Sequence, residues 1–315
     1  MHNPLSSERE AESTPNCGPL WALGNRHAGR GHGRDFPQRL ERIFQGQGLS
    51  ATFFWPDSKA ELCRLAAAAA SAGTSRLAVI GGDGTLVDVV NETWTAGVEI
   101  GLIPAGDAND IAAAAGVPRD LAEAVGLLAC WHTLATDLVR VRSADGRERI
   151  YAGAGGIGLD AEAARLAAGP FCRLPGIWRY VAGAIAAFAQ LRPFELSLDG
   201  DDSHYRGPAL LAVVANTPAY GGGIRIAPAA RMDDGWLEVV LLENLNWGQV
   251  ISALPSLLRS GELRGLPLRR YRARRVRLST DRPVSFHGDG EPLGATPLEI
   301  EVLPRQLRLV CAPPA

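Results

Sequence analysis

The sequence predicts an α/β fold joined to a second, β-rich domain, and three observations predict it. Residues 19–138 alternate short apolar runs with helical patterns. From residue 139 onward the texture changes to period-two alternation, broken by Asp-Gly and Gly-rich turns. Between the third apolar run and its helix stands Gly81-Gly82-Asp83-Gly84-Thr85. Strands alternating with helices argue for a parallel sheet with helices on both faces. Period-two alternation argues for antiparallel strands. A glycine turn from strand to helix lets the backbone approach a ligand closely and aims helix N–H groups at an anion.

The first half reads strand 19–23, loop 24–33, helix 36–45, strand 51–55 and alanine-rich helix 59–72. Strand 77–80 follows, then a helix marked by apolar residues at 86, 87, 89 and 90, strand 98–103 and helix 109–115. Ligands in such sheets sit beyond the carboxyl ends of the strands. That edge carries loops 24–33, 81–85 and 104–110. In the second half, 138–142, 195–199, 210–214, 236–242, 274–278 and 298–302 alternate as strands, and 177–191 and 247–260 as helices. The apolar run within 177–191 is shorter than the ~20 residues that span a bilayer.

Composition removes several function classes. The chain has 315 residues, 46% hydrophobic and 21% charged, with a formal net charge of −2. It suits two domains, and no global charge drives it to nucleic acid or anionic membrane. Lys59 is its single lysine and has no glycine-rich lead-in, which excludes a Walker A loop and a protein-kinase site. The six histidines do not cluster, and no H-E-x-x-H or G-x-S-x-G occurs. Five scattered cysteines without C-x-x-C spacing fit a reducing cytosol. Residues 1–16 are polar and predict a disordered tail, not a signal peptide.

An aspartate at the centre of a phosphate-type turn repels phosphate unless a cation compensates. Residues 81–85 therefore read as a metal-assisted phosphate site. Pro104-Ala-Gly-Asp-Ala-Asn-Asp110 repeats the strand–turn–helix logic; there Asp107 or Asn109 either caps the helix or contacts a ligand. His287-Gly-Asp-Gly-Glu291 by itself reads as a hairpin turn. Asp233-Asp234-Gly235 reads as a turn or a cation site.

Taken in order with Gly221-Gly-Gly-Ile-Arg-Ile-Ala-Pro228, these motifs resemble the diacylglycerol kinase catalytic-domain family. The resemblance covers residues 19–313. It implies a nucleotide-binding α/β domain over 17–138, joined by a returning strand within 304–315. A β-sandwich lipid domain over 139–303 faces it, with ATP in the cleft. It implies nucleotide contacts at Asn25, Arg30, Gly81, Gly82, Asp83, Gly84, Thr85, Gly106, Asp107, Asn109 and Asp110. It implies Mg²⁺ near Asp83, Asp110, Asp137 and Asp234. The implied catalytic residues are Glu291 as base, Asp289 beside it, and Asp83. The implied reaction moves the γ-phosphoryl group of ATP to a hydroxyl of a lipid such as diacylglycerol, in the cytoplasm or peripherally at the inner membrane face. The family motif carries threonine where this chain has Asp107, which adds a second negative charge near the phosphates. Two alternatives accompany this reading: an NAD kinase-like enzyme, and a non-catalytic nucleotide- or lipid-binding homologue disabled by Asp107.

Arg264, Arg269, Arg270, Arg272, Arg274, Arg275 and Arg277 form the densest basic stretch. On one strand, Arg270, Arg272 and Arg274 share a face, either attracted to anionic lipid or merely solvated. No aromatic platform accompanies them, which argues against nucleic acid. Residues 171–181 mix aromatics with arginines and fit a membrane interface or a helix packed on the β domain. A homodimer is left open.

Overall fold

A computed structural model describes residues 20–25, 35–174, 177–190 and 192–312. The expectation for residues 1–16 lies outside this set, as does most of loop 24–33. The first half runs β1 (Leu20–Gly24), α1 (Phe36–Gly46), β2 (Ala51–Phe54), α2 (Lys59–Ser71), β3 (Arg76–Gly81), α3 (Asp83–Thr93), β4 (Glu99–Pro104), α4 (Asp110–Ala114) and α5 (Leu121–Cys130). The second half begins with β5 (Thr133–Ser143), β6 (Glu148–Tyr151), β7 (Ala154–Gly158), α6 (Leu159–Ala168), α7 (Ile177–Gln190), β8 (Phe194–Gly200), β9 (His204–Ala209) and β10 (Leu211–Ala215). It ends with β11 (Leu237–Leu242), α8 (Trp247–Ser260), β12 (Leu268–Ala273), β13 (Arg275–Thr280), β14 (Ser285–Gly288), β15 (Glu291–Ala295) and β16 (Leu298–Val310).

Local chemistry accounts for the elements. In α1, Phe36, Leu40 and Phe44 recur every fourth residue and are buried together, while proline occupies the first turn, where its missing N–H costs nothing. Ser58 caps α2 by accepting from Glu61 N. β3 and β4 are buried almost throughout, as parallel strands covered on both faces must be.

Strands β2-β1-β3-β4-β16-β13-β8-β9 form one sheet, in which β5 and β6 extend from β16. β1 to β4 pair in parallel, and β16 joins β4 in parallel at Arg308 and Leu309. The same β16 runs antiparallel to β5 and β13. A register shift between Leu303 and Leu307, with Arg305 at φ 56°, lets one strand serve both halves. The second sheet is antiparallel, in the order β12-β11-β10-β7-β14-β15.

Three cores result. One surrounds the parallel strands, with Leu40, Ile80, Leu86 and Ile103 at its centre. The second lies between the sheets, where Val214 and Val239 meet Val276 and Ile300. The third covers the outer face of the six-stranded sheet, with Leu211, Val213 and Val240. β10 feeds both of the last two, since alternate residues of a strand point to opposite faces. Each such buried aliphatic side chain stabilises the fold by roughly 1.5–3 kcal/mol.

The arginine stretch differs from expectation. The strand breaks at Arg274, with β12 in one sheet and β13 in the other, so Arg270, Arg272 and Arg274 share no single strand face. The arginines are also engaged. Arg264 pairs with Glu262, Arg269 with Glu243, Arg275 with Glu301 and Arg277 with Glu299. Arg270 donates to Ile226 O, and Arg272 pairs with Asp234 and Glu238. Arg274 stacks on Trp236. This face is neutralised by its own carboxylates.

Candidate functional site

The turn between β3 and α3 meets the turn between β4 and α4 backbone to backbone. A Cβ on Gly106 would lie 2.5 Å from Gly82 Cα, so only glycine permits this approach. Asp83, at the start of α3, reaches across to the other turn. Its Oδ2 accepts from Asp110 N and its Oδ1 from Ile111 N, each at 3.0 Å. The carboxylate therefore occupies the N-terminal donors of α4. Asn109 sits in the left-handed region at φ 56° and folds its amide back on Gly106, accepting from Gly106 N and donating to Gly106 O. It shapes the loop instead of capping the helix. Asp110 accepts from Gly222 N at 2.9 Å, tying the first half to the Gly221-Gly222-Gly223 turn of the second.

Asp289 closes the cluster from the β14–β15 hairpin. It stands at φ 50° with Gly290 at φ 86°, the pair of positive φ values a two-residue hairpin turn demands. The hairpin reading and the site reading of 287–291 thus both hold. Its carboxylate accepts from Ala152 N, Gly153 N and Ala154 N. Burial pushes Asp289 up to about 7, with the Asp83 charge adding to it. Burial raises Asp110 to about 6, again with Asp83 contributing. Asp83 itself is raised by burial, against the backbone bonds it accepts. Three carboxyls share one shielded volume.

That volume is the polar end of a cavity of about 210 Å³. Asp83, Asp110, His287 and Asp289 line this end. Beyond them the walls are apolar: Tyr180, Val181, Ala184, Ile185 and Phe188 from α7, and Val250, Ala253, Leu254 and Leu257 from α8. Leu211, Leu242 and Leu268 of the six-stranded sheet form the floor. Burial lowers the pKa of His287, which keeps its ring neutral at neutral pH. Trp178, Trp247 and Ile251 on the outer surfaces of α7 and α8 are at least half exposed. Among the described residues no helix is long and apolar enough to cross a membrane.

Other predicted residues lie elsewhere. Glu291 does not line the cavity. It lies beside Gly84 and pairs with Lys59 Nζ at 3.0 Å, and Lys59 also holds Asp88 at 2.8 Å. The single lysine thus bridges both halves, a role its sequence context did not signal. Asp137 and Asp234 do not join Asp83 and Asp110, and neither lines the cavity. Buried Asp137 accepts from Gly235 N and Arg305 N, fixing the shift in β16. Asp234 accepts from Trp236 N and pairs with Arg272, so a guanidinium stands where a metal was expected. Asn25 donates its backbone N–H to Ile80 O, Thr85 is buried beneath Gly81, and Asp107 is exposed on its loop. Arg30 lies outside the described residues. Sequence reasoning missed Tyr180, His287 and the apolar walls. The apolar spacing of 180, 181, 184, 185 and 188 along one helix face was the available signal.

The family model for the diacylglycerol kinase catalytic domain matches residues 19–141, and that for the YegS C-terminal NAD kinase beta sandwich-like domain matches 153–311. A Stenotrophomonas maltophilia (strain K279a) protein named "Probable lipid kinase YegS-like" is 32% identical over 291 residues, covering 89% of this chain and 93% of its own. The chain belongs to the YegS-like family of lipid kinases. A Mycobacterium tuberculosis (strain ATCC 25618 / H37Rv) protein named diacylglycerol kinase is 27% identical, covering 78% of this chain and 80% of its own. The fold of this family member also matches a crystal structure of a diacylglycerol kinase from Bacillus anthracis (strain Sterne). The TM-score is 0.71 at 18% identity, over 94% of this chain and 97% of that one. Membership in this family sets aside the NAD kinase-like alternative.

Proposed function

We propose that the protein transfers the γ-phosphoryl group of ATP, with Mg²⁺, to a hydroxyl of a lipid such as diacylglycerol. The observation that carries this reading is the cavity itself, whose apolar walls end on carboxylates at the glycine turns. Hydrocarbon chain fills the walls, and the hydroxyl lies at the polar end. The nucleotide lies along the 81–85 and 104–110 turns, with the α/β half as nucleotide domain and the β half as lipid domain.

The residues fit Mg²⁺. Among the described residues no group of three or more His, Cys, Asp or Glu side chains could hold a metal by itself. Mg²⁺ needs only one or two carboxylates, completing its shell with phosphates and water. Asp110 is the group suited to hold it, beside two further carboxyls whose pKa values, like its own, are raised chiefly by burial. When bound, Mg²⁺ would neutralise charge on the transferring phosphoryl group. The chain's residues do the rest. Asp83 takes the hydroxyl proton on a carboxylate oxygen as the lipid oxygen bonds to phosphorus and the bond to ADP breaks. Burial raises its pKa, which strengthens it as a proton acceptor. Asp289 orients the hairpin, and Glu291 is held by Lys59 at the rim. The exposed apolar side chains of α7 and α8 surround the cavity and support peripheral contact with a lipid surface.

Purified protein with γ-labelled ATP, Mg²⁺ and mixed micelles of diacylglycerol, monoacylglycerol, sphingosine and ceramide tests the reading. Label should appear in a lipid. Ala184→Trp, which fills the cavity, should cut labelling by roughly tenfold or more while leaving nucleotide affinity intact. Nucleotide binding without any labelled lipid would support a non-catalytic homologue instead.

A further inference from the structure

Asp107 adds a carboxylate to the 104–110 turn, and its partner comes from the other half of the molecule. Arg179 on α7 donates Nη1 to Asp107 Oδ2 at 2.9 Å. The same guanidinium donates Nη2 to Tyr180 Oη at 3.0 Å and stacks on the Tyr180 ring, 4.8 Å from its centre. Only 18% of the Arg179 side chain is exposed, against 64% for Asp107. Arg179 Nε is buried and makes no hydrogen bond within the described chain. Tyr180 in turn lines the cavity and packs on Gly221 and Gly222, the turn that holds Asp110. A connected path therefore runs from Asp107 through Arg179 and Tyr180 to the cavity and to Asp110.

We propose that Arg179 is a positioning residue that neutralises Asp107, so that the 104–110 turn accepts phosphate, and clamps α7 onto that turn. A carboxylate left bare beside a polyphosphate repels it. Paired with a guanidinium it is nearly neutral, and the planar fork retains N–H donors for a phosphate oxygen. Because α7 is a wall of the lipid cavity, the ion pair joins the nucleotide turn to the lipid site across the cleft. The phosphate part of the proposal rests on the lipid-kinase reading; the clamp rests on geometry alone.

Calorimetric titration with Mg²⁺ and a non-hydrolysable ATP analogue, together with hydrogen exchange of the α7 amides, tests it. The set is wild type, Arg179→Ala, Asp107→Thr and the double variant, each checked for native circular dichroism. Arg179→Ala should weaken analogue binding by roughly tenfold, the loss of a charge-assisted contact. Asp107→Thr in that background should restore affinity to within about twofold of Asp107→Thr alone. Exchange across residues 180–190 should quicken in both single variants and no further in the double. Unchanged affinity in Arg179→Ala, or a double variant as weak as Arg179→Ala, overturns the charge-compensation role. Unchanged α7 exchange in both single variants overturns the clamp. A wild type that binds no nucleotide defeats the kinase reading together with the compensation role, and the exchange result then decides the clamp by itself.

Discussion

Two groups of aspartates differ in how their charge is met. Asp83, Asp110 and Asp289 crowd the polar end of an apolar cavity, bonded to backbone N–H groups and to no cationic side chain among the described residues. Asp137 and Asp234 lie at the β16 crossover, where Arg272 pairs with Asp234 and stacks on Trp236. Asp83, Asp110, Asp289 and Asp234 sit in or beside glycine-containing turns and read alike in the sequence, whereas Asp137 lies within β5. The first leaves negative charge unmatched beside space for a ligand, as a functional site does. In the second, Asp234 meets a guanidinium, while Asp137 is held by the backbone N–H groups of Gly235 and Arg305 and braces the chain.

Breaking the first group should have the largest effect. Asp83→Asn keeps one acceptor oxygen but removes the base. Phosphoryl transfer to lipid should fall about a thousandfold, with roughly 1–2 kcal/mol lost in urea unfolding from the broken bond to Asp110 N. Glu291→Gln sharpens the assignment. With its carboxylate on Lys59 outside the cavity, the same assay should lose about tenfold at most, and a loss as large as that of Asp83→Asn would make Glu291 the base.

Titration separates the groups next. Folded Asp289 titrates at about 7 and an ordinary aspartate at 3.8. Between those values the folded chain keeps a proton that the unfolded chain has released, so stability falls as pH rises through the window. The span corresponds to at most about 4 kcal/mol. Melting curves without nucleotide or Mg²⁺ should show wild type losing stability relative to Asp289→Asn from pH 4 to pH 7. Parallel profiles would show that Asp289 does not carry the strain.

The smallest effect belongs to the second group. Arg272 is half exposed, so Arg272→Ala should cost about 1 kcal/mol of stability. Lipid phosphorylation should stay within about twofold of wild type, because Arg272 and Asp234 do not line the cavity. A collapse of activity would erase the distinction between the groups.

Much of the α/β half is legible because each strand is a continuous apolar run and each helix keeps its apolar period. The glycine turns are legible because glycine there answers a local demand, as Gly106 does against Gly82. β7 escapes notice because Ala154-Gly-Gly-Ile-Gly158 is mostly glycine and carries a single branched side chain, Ile157; Gly155 is small because the Phe286 ring and His287 O lie against it. The surroundings of Glu291 are not legible because a motif names residues without directions. Glu291 turns to Lys59, 232 positions away in the chain, while Asp83 turns inward.

Local pattern by itself determined the strand–helix alternation, the two glycine turns and the family resemblance, since each depends on neighbours within one or two turns of chain. Only the tertiary structure decided which carboxylates share a volume, which meet an arginine, and that α7 and α8 enclose a cavity. Those outcomes depend on contacts between residues far apart in the chain, and electrostatic and packing energies follow distance in space.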